Sequence, residues 1–162
     1  MKTTRENVIE WAKERDLIKP ENAQKQIFKL IEENGEIFGA YLKNDIQKIF
    51  DGIGDVKVVL IILDEQLELG RLKYKYALDY FKETATIIEI LNELFDSIAQ
   101  LVNSYRPDLK IVNTKLFDKI FLLLEYLANR YGTTAENCLK LAYEEIKNRK
   151  GKTINGSFVK EE

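Results

Sequence analysis

The apolar run at residues 56–63 constrains the fold more strongly than any other part of the sequence. Lys57 is its only charged residue, and the next charge is Asp64, so a helix here has no polar side and must be buried on most faces. β-branched residues dominate the run, and periodicity alone leaves a buried β-strand open as an alternative. We favour a helix because no turn signal interrupts residues 55–69, a length that is unusual for a strand.

Helical periodicity with few breakers extends over most of the chain, since only two prolines and eight glycines occur in 162 residues. Thr3 or Thr4 can cap a first helix, Pro20 fits the first turn of a second, and Gly70 ends the third. The sequence therefore predicts an all-α bundle of about six helices, at about residues 4–15, 20–43, 45–69, 72–105, 116–130 and 134–150. We expect residues 1–152 to form a single domain. Residues 153–162 then form a C-terminal tail, for which a short strand, an arm and disorder all stay open.

Two groups of acidic residues precede the apolar run. At about 100° per residue, Glu32, Glu33 and Glu36 fall on one side of the second helix, and Asp51 and Asp55 share a face of the third. Unpaired carboxylates at the start of a buried helix are costly, so they either take up protons or find cations. Two acidic faces that meet in one bundle suit Mg²⁺, which prefers oxygen ligands. The alternative for the first group is an ordinary solvated helix face.

The order of these residues carries a resemblance. Glu32-Glu33-x-x-Glu36, followed by Asp51-Gly-x-Gly-Asp55-Val and an aliphatic run, resembles the all-α nucleoside triphosphate pyrophosphohydrolases, in particular the small MazG-like proteins of bacteria and phages. The resemblance implies that Glu33, Glu36 and Asp55 are catalytic metal ligands. It also implies a role for Glu32, which binds a further metal ion or orients and deprotonates the attacking water. The expected cofactor is Mg²⁺, for which Mn²⁺ can substitute.

The sequence departs from the family pattern at Gly52, where the family usually has the glutamate of its ExxD motif. Asp51 is the nearest replacement as a metal ligand, one turn before Asp55. A second match is at residues 142–152, which resemble the closing segment of the same group. The resemblance covers residues 20–69 and 134–160, and nothing is transferred to the segment 70–132.

The resemblance implies hydrolysis of a nucleoside or deoxynucleoside triphosphate to the monophosphate and pyrophosphate. Because such a substrate is a polyanion, a purely acidic pocket would repel it, and cations must accompany the carboxylates. The candidate phosphate-binding residues are Lys29, Lys48, Lys147, Arg149, Lys150 and Lys152. For the cluster at 147–152 the alternative is a helix C-terminus, where cations interact favourably with the helix dipole. Trp11 is a candidate for stacking on the base, although core packing explains it equally well.

Composition excludes several kinds of site. The chain has no histidine, which removes Ser-His-Asp and Cys-His catalysis and histidine-ligated metals. The single cysteine, Cys138, allows no intrachain disulfide or thiolate zinc site and is expected in the core. With a net charge of -2, we expect neither nucleic acid nor an anionic membrane as a partner. No apolar run is long enough to cross a bilayer and the N-terminus is not a signal sequence, so we expect a cytoplasmic protein.

We also expect a homo-oligomer, either a dimer or a tetramer. The third helix has more apolar surface than five partner helices obviously cover, which suggests that helices two and three of neighbouring subunits pack together, as the resemblance also implies. Gly35 and Gly39 lie near the apolar side of the second helix, where glycine lets another backbone approach closely.

Two functional alternatives stay open. One is a helical binding or regulatory protein that keeps the bundle but has lost catalysis, which Gly52 favours. The other is a dUTP/dUDP-specific hydrolase of the same all-α superfamily.

Overall fold

The computed structural model describes residues 2–70 and 84–161 of the chain. These residues form six α-helices and one two-stranded antiparallel sheet, which confirms the prediction of a helical bundle. The helices are α1 (Thr4–Lys13), α2 (Ala23–Leu42), α3 (Ile46–Gln66), α4 (Ile87–Ser104), α5 (Thr114–Arg130) and α6 (Ala135–Ile146). The strands are β1 (Gly151–Ile154) and β2 (Ser157–Lys160), and a 3₁₀ turn (Pro20–Asn22) precedes α2.

Helix α3 lies at the centre of the bundle. It packs against α1, α2, α5 and α6, and every residue from 56 to 63 is buried. The helical interpretation of the apolar run is thus confirmed, and the strand alternative is wrong. The side chain of Asp45 caps the helix by accepting a hydrogen bond of 3.1 Å from the backbone N–H of Lys48.

Glycines on α3 allow its neighbours to come close. A Cβ atom at Gly52 would lie 2.6 Å from Cγ1 of Ile37 in α2, and one at Gly54 would lie 2.8 Å from Cβ of Ala142 in α6. At Gly35 and Gly39, which the sequence suggested for this role, no atom of residues 2–70 and 84–161 lies within 4 Å of a built Cβ. That prediction is wrong for the single chain, because a helical wheel shows which face is apolar but not which face has a neighbour.

Several predicted boundaries are corrected. Helix α6 ends at Ile146 rather than near Lys150, and α3 ends at Gln66, before Gly70. Helix α4 begins at Ile87, where Thr86 and Glu89 form a capping box. The predicted start of that helix, near residue 72, lies outside the described residues.

The C-terminal tail is a β-hairpin. Ile154 pairs with Ser157 across the turn residues Asn155 and Gly156, both of which have positive φ (49° and 81°). Asn-Gly is the preferred pair for a two-residue hairpin turn with both residues in this conformation, so the dipeptide was the signal that the tail prediction left unused. The boundary predicted at residue 153 falls inside β1.

The hairpin is docked on α1. The ring of Phe158 meets the ring of Trp11 edge-on, with centroids 5.3 Å apart and planes at 62°. The hydroxyl of Thr153 donates a hydrogen bond to the backbone carbonyl of Arg15, and the Arg15 guanidinium lies 4.8 Å from the Trp11 ring centroid. These contacts fix the position of β2 beside the ends of α1 and α6.

The exposed apolar surface differs from the prediction. Along α3, which is described throughout, Ile46 at the first residue is the only strongly exposed large apolar side chain. The argument for oligomerisation from uncovered surface on α3 is therefore wrong. Among the described residues, exposed large apolar side chains lie instead on α2 (Phe28, Ile31 and Leu42), α4 (Ile88 and Phe95) and α6 (Leu141), in the hairpin (Ile154 and Val159) and between α4 and α5 (Leu109 and Ile111). Within residues 2–70 and 84–161, no helix is long and apolar enough to cross a membrane.

Candidate functional site

Most of the predicted acidic residues line one cavity of about 510 Å³. This cavity, here the carboxylate cavity, is bordered by the middle of α2, the start of α3 and the segment that follows α6. Four of the five predicted carboxylates and three of the six predicted cations line it, namely Glu33, Glu36, Asp51, Asp55, Lys29, Lys48 and Arg149. Residues from separate parts of the sequence thus meet at one place. Glu32, whose side chain is 58% exposed, is not among its lining residues and lines an adjoining cavity instead.

Burial and mutual repulsion perturb the carboxylates. Burial is the main cause that raises the pKa of Asp55 from 3.8 to about 7, and the charges of Glu33, Glu36 and Asp51 raise it further against the opposing effect of Arg149. Burial also raises the pKa of Glu33, which is only 7% exposed. The lining also holds five carboxylates against four cations, which is a small deficit of positive charge.

Lys29 partly compensates for this deficit. Its Nζ atom lies 2.8 Å from a carboxylate oxygen of Glu32 and 2.8 Å from one of Glu33. Burial acts to lower the pKa of Lys29, but its hydrogen bonds and ion pairs with the two glutamates raise it overall. The first acidic group is thus neither a plain solvated face nor a free set of ligands.

The carboxylates are gathered in one cavity but not around one point. Within the described part of the chain, no three acidic or cysteine side chains are close enough together to hold a metal ion as they stand. Glu32 and Glu33 are paired with Lys29, and Asp51 accepts a hydrogen bond of 3.2 Å from Gln47. The donor set, which consists of oxygens only and is partly buried, nevertheless suits a hard divalent cation by its chemistry. Ligation would require side-chain rotations on α2 and α3.

The predicted phosphate-binding cations separate into two sets. Lys29, Lys48 and Arg149 line the carboxylate cavity. In contrast, Lys147, Lys150 and Lys152 are exposed and do not line it. Arg149 forms an ion pair with Glu145. Sequence reasoning missed Lys43, which also lines the carboxylate cavity from the end of α2.

A second cavity of about 380 Å³ adjoins the first, and we call it the apolar cavity. The two share Lys29, Glu33, Asp55 and Arg149 as lining residues. Its remaining lining comes from α1, the start of α2, the middle of α3 and the hairpin, and is mainly apolar: Trp11, Leu17, Val58, Val59, Ile62, Ile146 and Phe158, with Lys25, Gln26, Glu32, Gly156, Ser157 and Lys160. Because the tail was not foreseen as a hairpin, the sequence did not predict this cavity.

Trp11 belongs to the wall of the apolar cavity rather than to its opening. It is 7% exposed, and its indole Nε1 donates a hydrogen bond of 2.9 Å to the carbonyl of Ile146. The edge contact with Phe158 and the overlying Arg15 cover much of the ring. Core packing therefore accounts for this tryptophan. Cys138 is fully buried, as expected.

Gly52 lies where α3 packs closely against α2. A side chain at this residue would point at Ile37 in the packed contact between α2 and α3. A glutamate here would require the two helices to shift. Asp51 and Asp55, in contrast, both line the carboxylate cavity.

The chain resembles a known phage protein over part of its length. No family model and no solved structure matches the chain significantly. Over 60 residues it is 43% identical to an uncharacterized 18.2 kDa protein from the rep-hol intergenic region of Haemophilus phage HP1 (strain HP1c1). The matched segment covers 37% of this chain and 37% of the phage protein. The chain is thus similar to a phage protein over about a third of its length.

Proposed function

We propose that the chain is a Mg²⁺-dependent nucleoside triphosphate pyrophosphohydrolase of the MazG-like type, which cleaves NTP or dNTP to the monophosphate and pyrophosphate. The observation that carries the proposal is the grouping of Glu33, Glu36, Asp51 and Asp55 in one cavity, where burial and repulsion raise the pKa of Asp55 to about 7. Perturbed carboxylates in a cavity are typical of sites that bind cations or transfer protons.

The residues have separate roles in this proposal. Glu33, Glu36 and Asp55 would hold magnesium, with Asp51 as an additional ligand in place of the family glutamate. When bound, magnesium would supply charge neutralisation between carboxylates and phosphate oxygens together with Lewis-acid polarisation of the phosphate. Lys29, Lys48 and Arg149, which line the same cavity, are placed to contact the phosphate oxygens.

Hydrolysis joins a water oxygen to the α-phosphorus and breaks the anhydride bond to the β-phosphate, and pyrophosphate leaves. A base must accept the proton that the water loses. We assign this role to Glu32, whose side chain is 58% exposed and pairs with Lys29 of the cavity lining. Lys29, already paired with Glu32, can exchange that partner for a phosphate oxygen when substrate enters.

The test is pyrophosphate release from a panel of NTPs and dNTPs with and without MgCl₂. Glu36→Gln and Asp55→Asn should each abolish turnover and leave the helical circular-dichroism spectrum unchanged. Asp108→Asn, a substitution at an exposed loop residue outside both cavities, is the matched control and should retain full activity. Turnover by either cavity variant at the wild-type rate would refute the assignment.

A second candidate is a non-catalytic nucleotide-binding protein on the same bundle. It is favoured by Lys29, which occupies the space between Glu32 and Glu33, and by the dispersed arrangement of the carboxylates in the described residues. Nucleotide binding without release of pyrophosphate from any substrate would support it. Activity on uridine nucleotides alone would support the dUTP/dUDP-specific alternative.

We also propose a homo-oligomer formed through α2 and α4 rather than through α3. Phe28 and Ile31 on α2 and Phe95 on α4 are each about half-exposed, and a groove between Ile31, Phe95 and Val102 is almost entirely apolar. Exposed apolar patches of this kind commonly mark protein contacts. A monomeric mass by light scattering at working concentration would count against this part of the proposal.

A further inference from the structure

We infer that the C-terminal hairpin completes a binding site for the base of a nucleotide, with Phe158 and Gln26 as the residues that contact it. The inference rests on the proposed function for the identity of the ligand. Its structural basis is the apolar cavity, which the hairpin borders and which shares four lining residues with the carboxylate cavity.

The residues that line both cavities indicate what kind of ligand would fit. Lys29, Glu33, Asp55 and Arg149 line both, so one molecule can have its charged end among the carboxylates and cations and its other end among apolar side chains. A nucleotide has this character, because its phosphates are polyanionic and its base has two apolar faces. The volume of about 380 Å³ lies within the range of small-molecule sites.

The walls of the apolar cavity suit a planar ring. Val58, Val59 and Ile62 on α3 and Phe158 on β2 all line this cavity. Stacking and dispersion against such walls tolerate any base, since every base has a π-face. These walls therefore predict affinity for bases in general.

Gln26 supplies the directional polar group. It is 7% exposed, lines the cavity, and donates a long hydrogen bond of 3.4 Å to the carbonyl of Val59. Bonds of that length are weak, so the amide can contribute its hydrogen-bonding groups to a ligand without losing a strong internal partner. A few polar groups in a mainly apolar pocket are what fixes the orientation of a ligand.

The hairpin is held tightly enough to serve as a wall. A Cβ at Gly156 would lie 3.0 Å from Oδ1 of Asn22, so the turn rests directly against the segment that leads into α2. Phe158 and Thr153 attach the strands to α1. The position of Phe158 is thus determined by contacts on both sides of the hairpin.

The test uses the single tryptophan of the chain, which lies in the cavity wall. Trp11 fluorescence is titrated with nucleoside monophosphates in EDTA, and ribose 5-phosphate, which has the phosphate and sugar but no base, is the matched ligand. We expect a saturable change with nucleotides and a much weaker one with ribose 5-phosphate. Gln26→Leu should weaken nucleotide binding by about fivefold to tenfold, the loss of one hydrogen bond, and leave ribose 5-phosphate unaffected.

A second variant avoids the buried core. Ser157 is an exposed residue at the edge of the cavity, so Ser157→Phe should obstruct the opening without disturbing the fold, and it should also abolish the nucleotide response. Asp108→Asn, at an exposed loop residue outside both cavities, is the control and should bind as the wild type does.

The outcomes separate this inference from the proposed function. Saturable nucleotide binding that Gln26→Leu and Ser157→Phe weaken supports the inference even if no pyrophosphate is released. Wild-type affinity in both variants, or equal binding of ribose 5-phosphate, overturns it even if hydrolysis is found. If the chain is an active enzyme, both variants should raise KM for nucleotides and leave kcat within about twofold, because the affected contacts are uniform binding contacts.

Discussion

The Nζ atom of Lys29 lies 2.8 Å from Oε1 of Glu33, one helical turn away on α2. Glu33 is nearly buried, and the lysine is the cation that offsets its charge. The same lysine contacts Glu32 at the surface. A single cation thus neutralises part of the motif on which the metal-site hypothesis depends, and its removal should expose that motif to other cations.

Lys29→Met should increase the affinity of the metal-free protein for Mg²⁺ or Mn²⁺. Lys29 opposes the rise in the pKa of Glu33, so its loss should raise that pKa further and leave two carboxylates without their partner. Divalent cation binding can be measured by isothermal titration calorimetry with Mn²⁺, with Lys19→Met as a control at an exposed lysine on another ion pair. Equal or weaker Mn²⁺ binding in Lys29→Met would argue that Glu32 and Glu33 are not ligands.

The stability of the metal-free protein should fall as the pH rises from about 4 to about 7. The pKa of Asp55 is about 7 in the folded protein and 3.8 without the shift, so over this range the folded state retains a proton that the unfolded state has lost. Stability therefore decreases with pH, by a total on the order of 3 kcal/mol. Urea unfolding in EDTA at a series of pH values measures this dependence.

Asp55→Asn provides the control for the pH dependence. The amide cannot ionise, so the variant should be more stable than the wild type at pH 8 and similar to it near pH 4. Addition of MgCl₂ at pH 8 should stabilise the wild type more than the variant. If the wild type and Asp55→Asn show the same pH profile in EDTA, the buried carboxylate does not titrate as described.

The sequence predicted that the two acidic groups lie close together, because the position of each group on its helix follows from local periodicity. Glu33 and Glu36 share a face of α2, and Asp51 and Asp55 share a face of α3. The apolar run of α3 forces that helix into the bundle beside α2. The packing at Gly52 could not be predicted in the same way. Its role depends on how closely Ile37 approaches from another helix, which is a tertiary distance.

The remainder of the site depends on contacts between distant segments. Lys43, Lys25 and Lys160 reach the two cavities only because the end of α2, its start and the hairpin meet there. The hairpin itself could have been predicted from Asn155-Gly156, and with it an extra wall near the C-terminus. The docking position of the hairpin could not be predicted, because Phe158 contacts Trp11, which lies near the other end of the chain.

Gly54→Ala should destabilise the fold by about 3 kcal/mol or more. A Cβ at this position would overlap the carbonyl oxygen of Cys138 and lie 2.8 Å from Cβ of Ala142, so α3 and α6 would have to separate. Gly39→Ala is the matched control, because no atom of the described residues lies within 4 Å of its built Cβ and alanine stabilises a helix interior by about 1 kcal/mol relative to glycine. Thermal unfolding of the two variants should shift in opposite directions. A destabilised Gly39→Ala would contradict the open space found around that glycine.

Gly156→Ala should loosen the hairpin and change the fluorescence of Trp11. Gly156 has φ of +81°, where a residue with a Cβ is strained by about 1–2 kcal/mol, and the new methyl group would also press on Asn22. Gly132→Ala is the matched control: it has a similar φ of +77° but open space around its built Cβ, and it lies in the turn between α5 and α6. Both variants should lose stability. Only Gly156→Ala should alter the Trp11 emission and increase amide hydrogen exchange over residues 151–160. The reason is that Phe158 contacts the indole of Trp11 and we expect this contact to depend on the docked turn. Unchanged emission in a Gly156→Ala protein whose hairpin exchanges faster would show that Phe158 stays on Trp11 without the turn, and that the strand alone forms the wall of the apolar cavity.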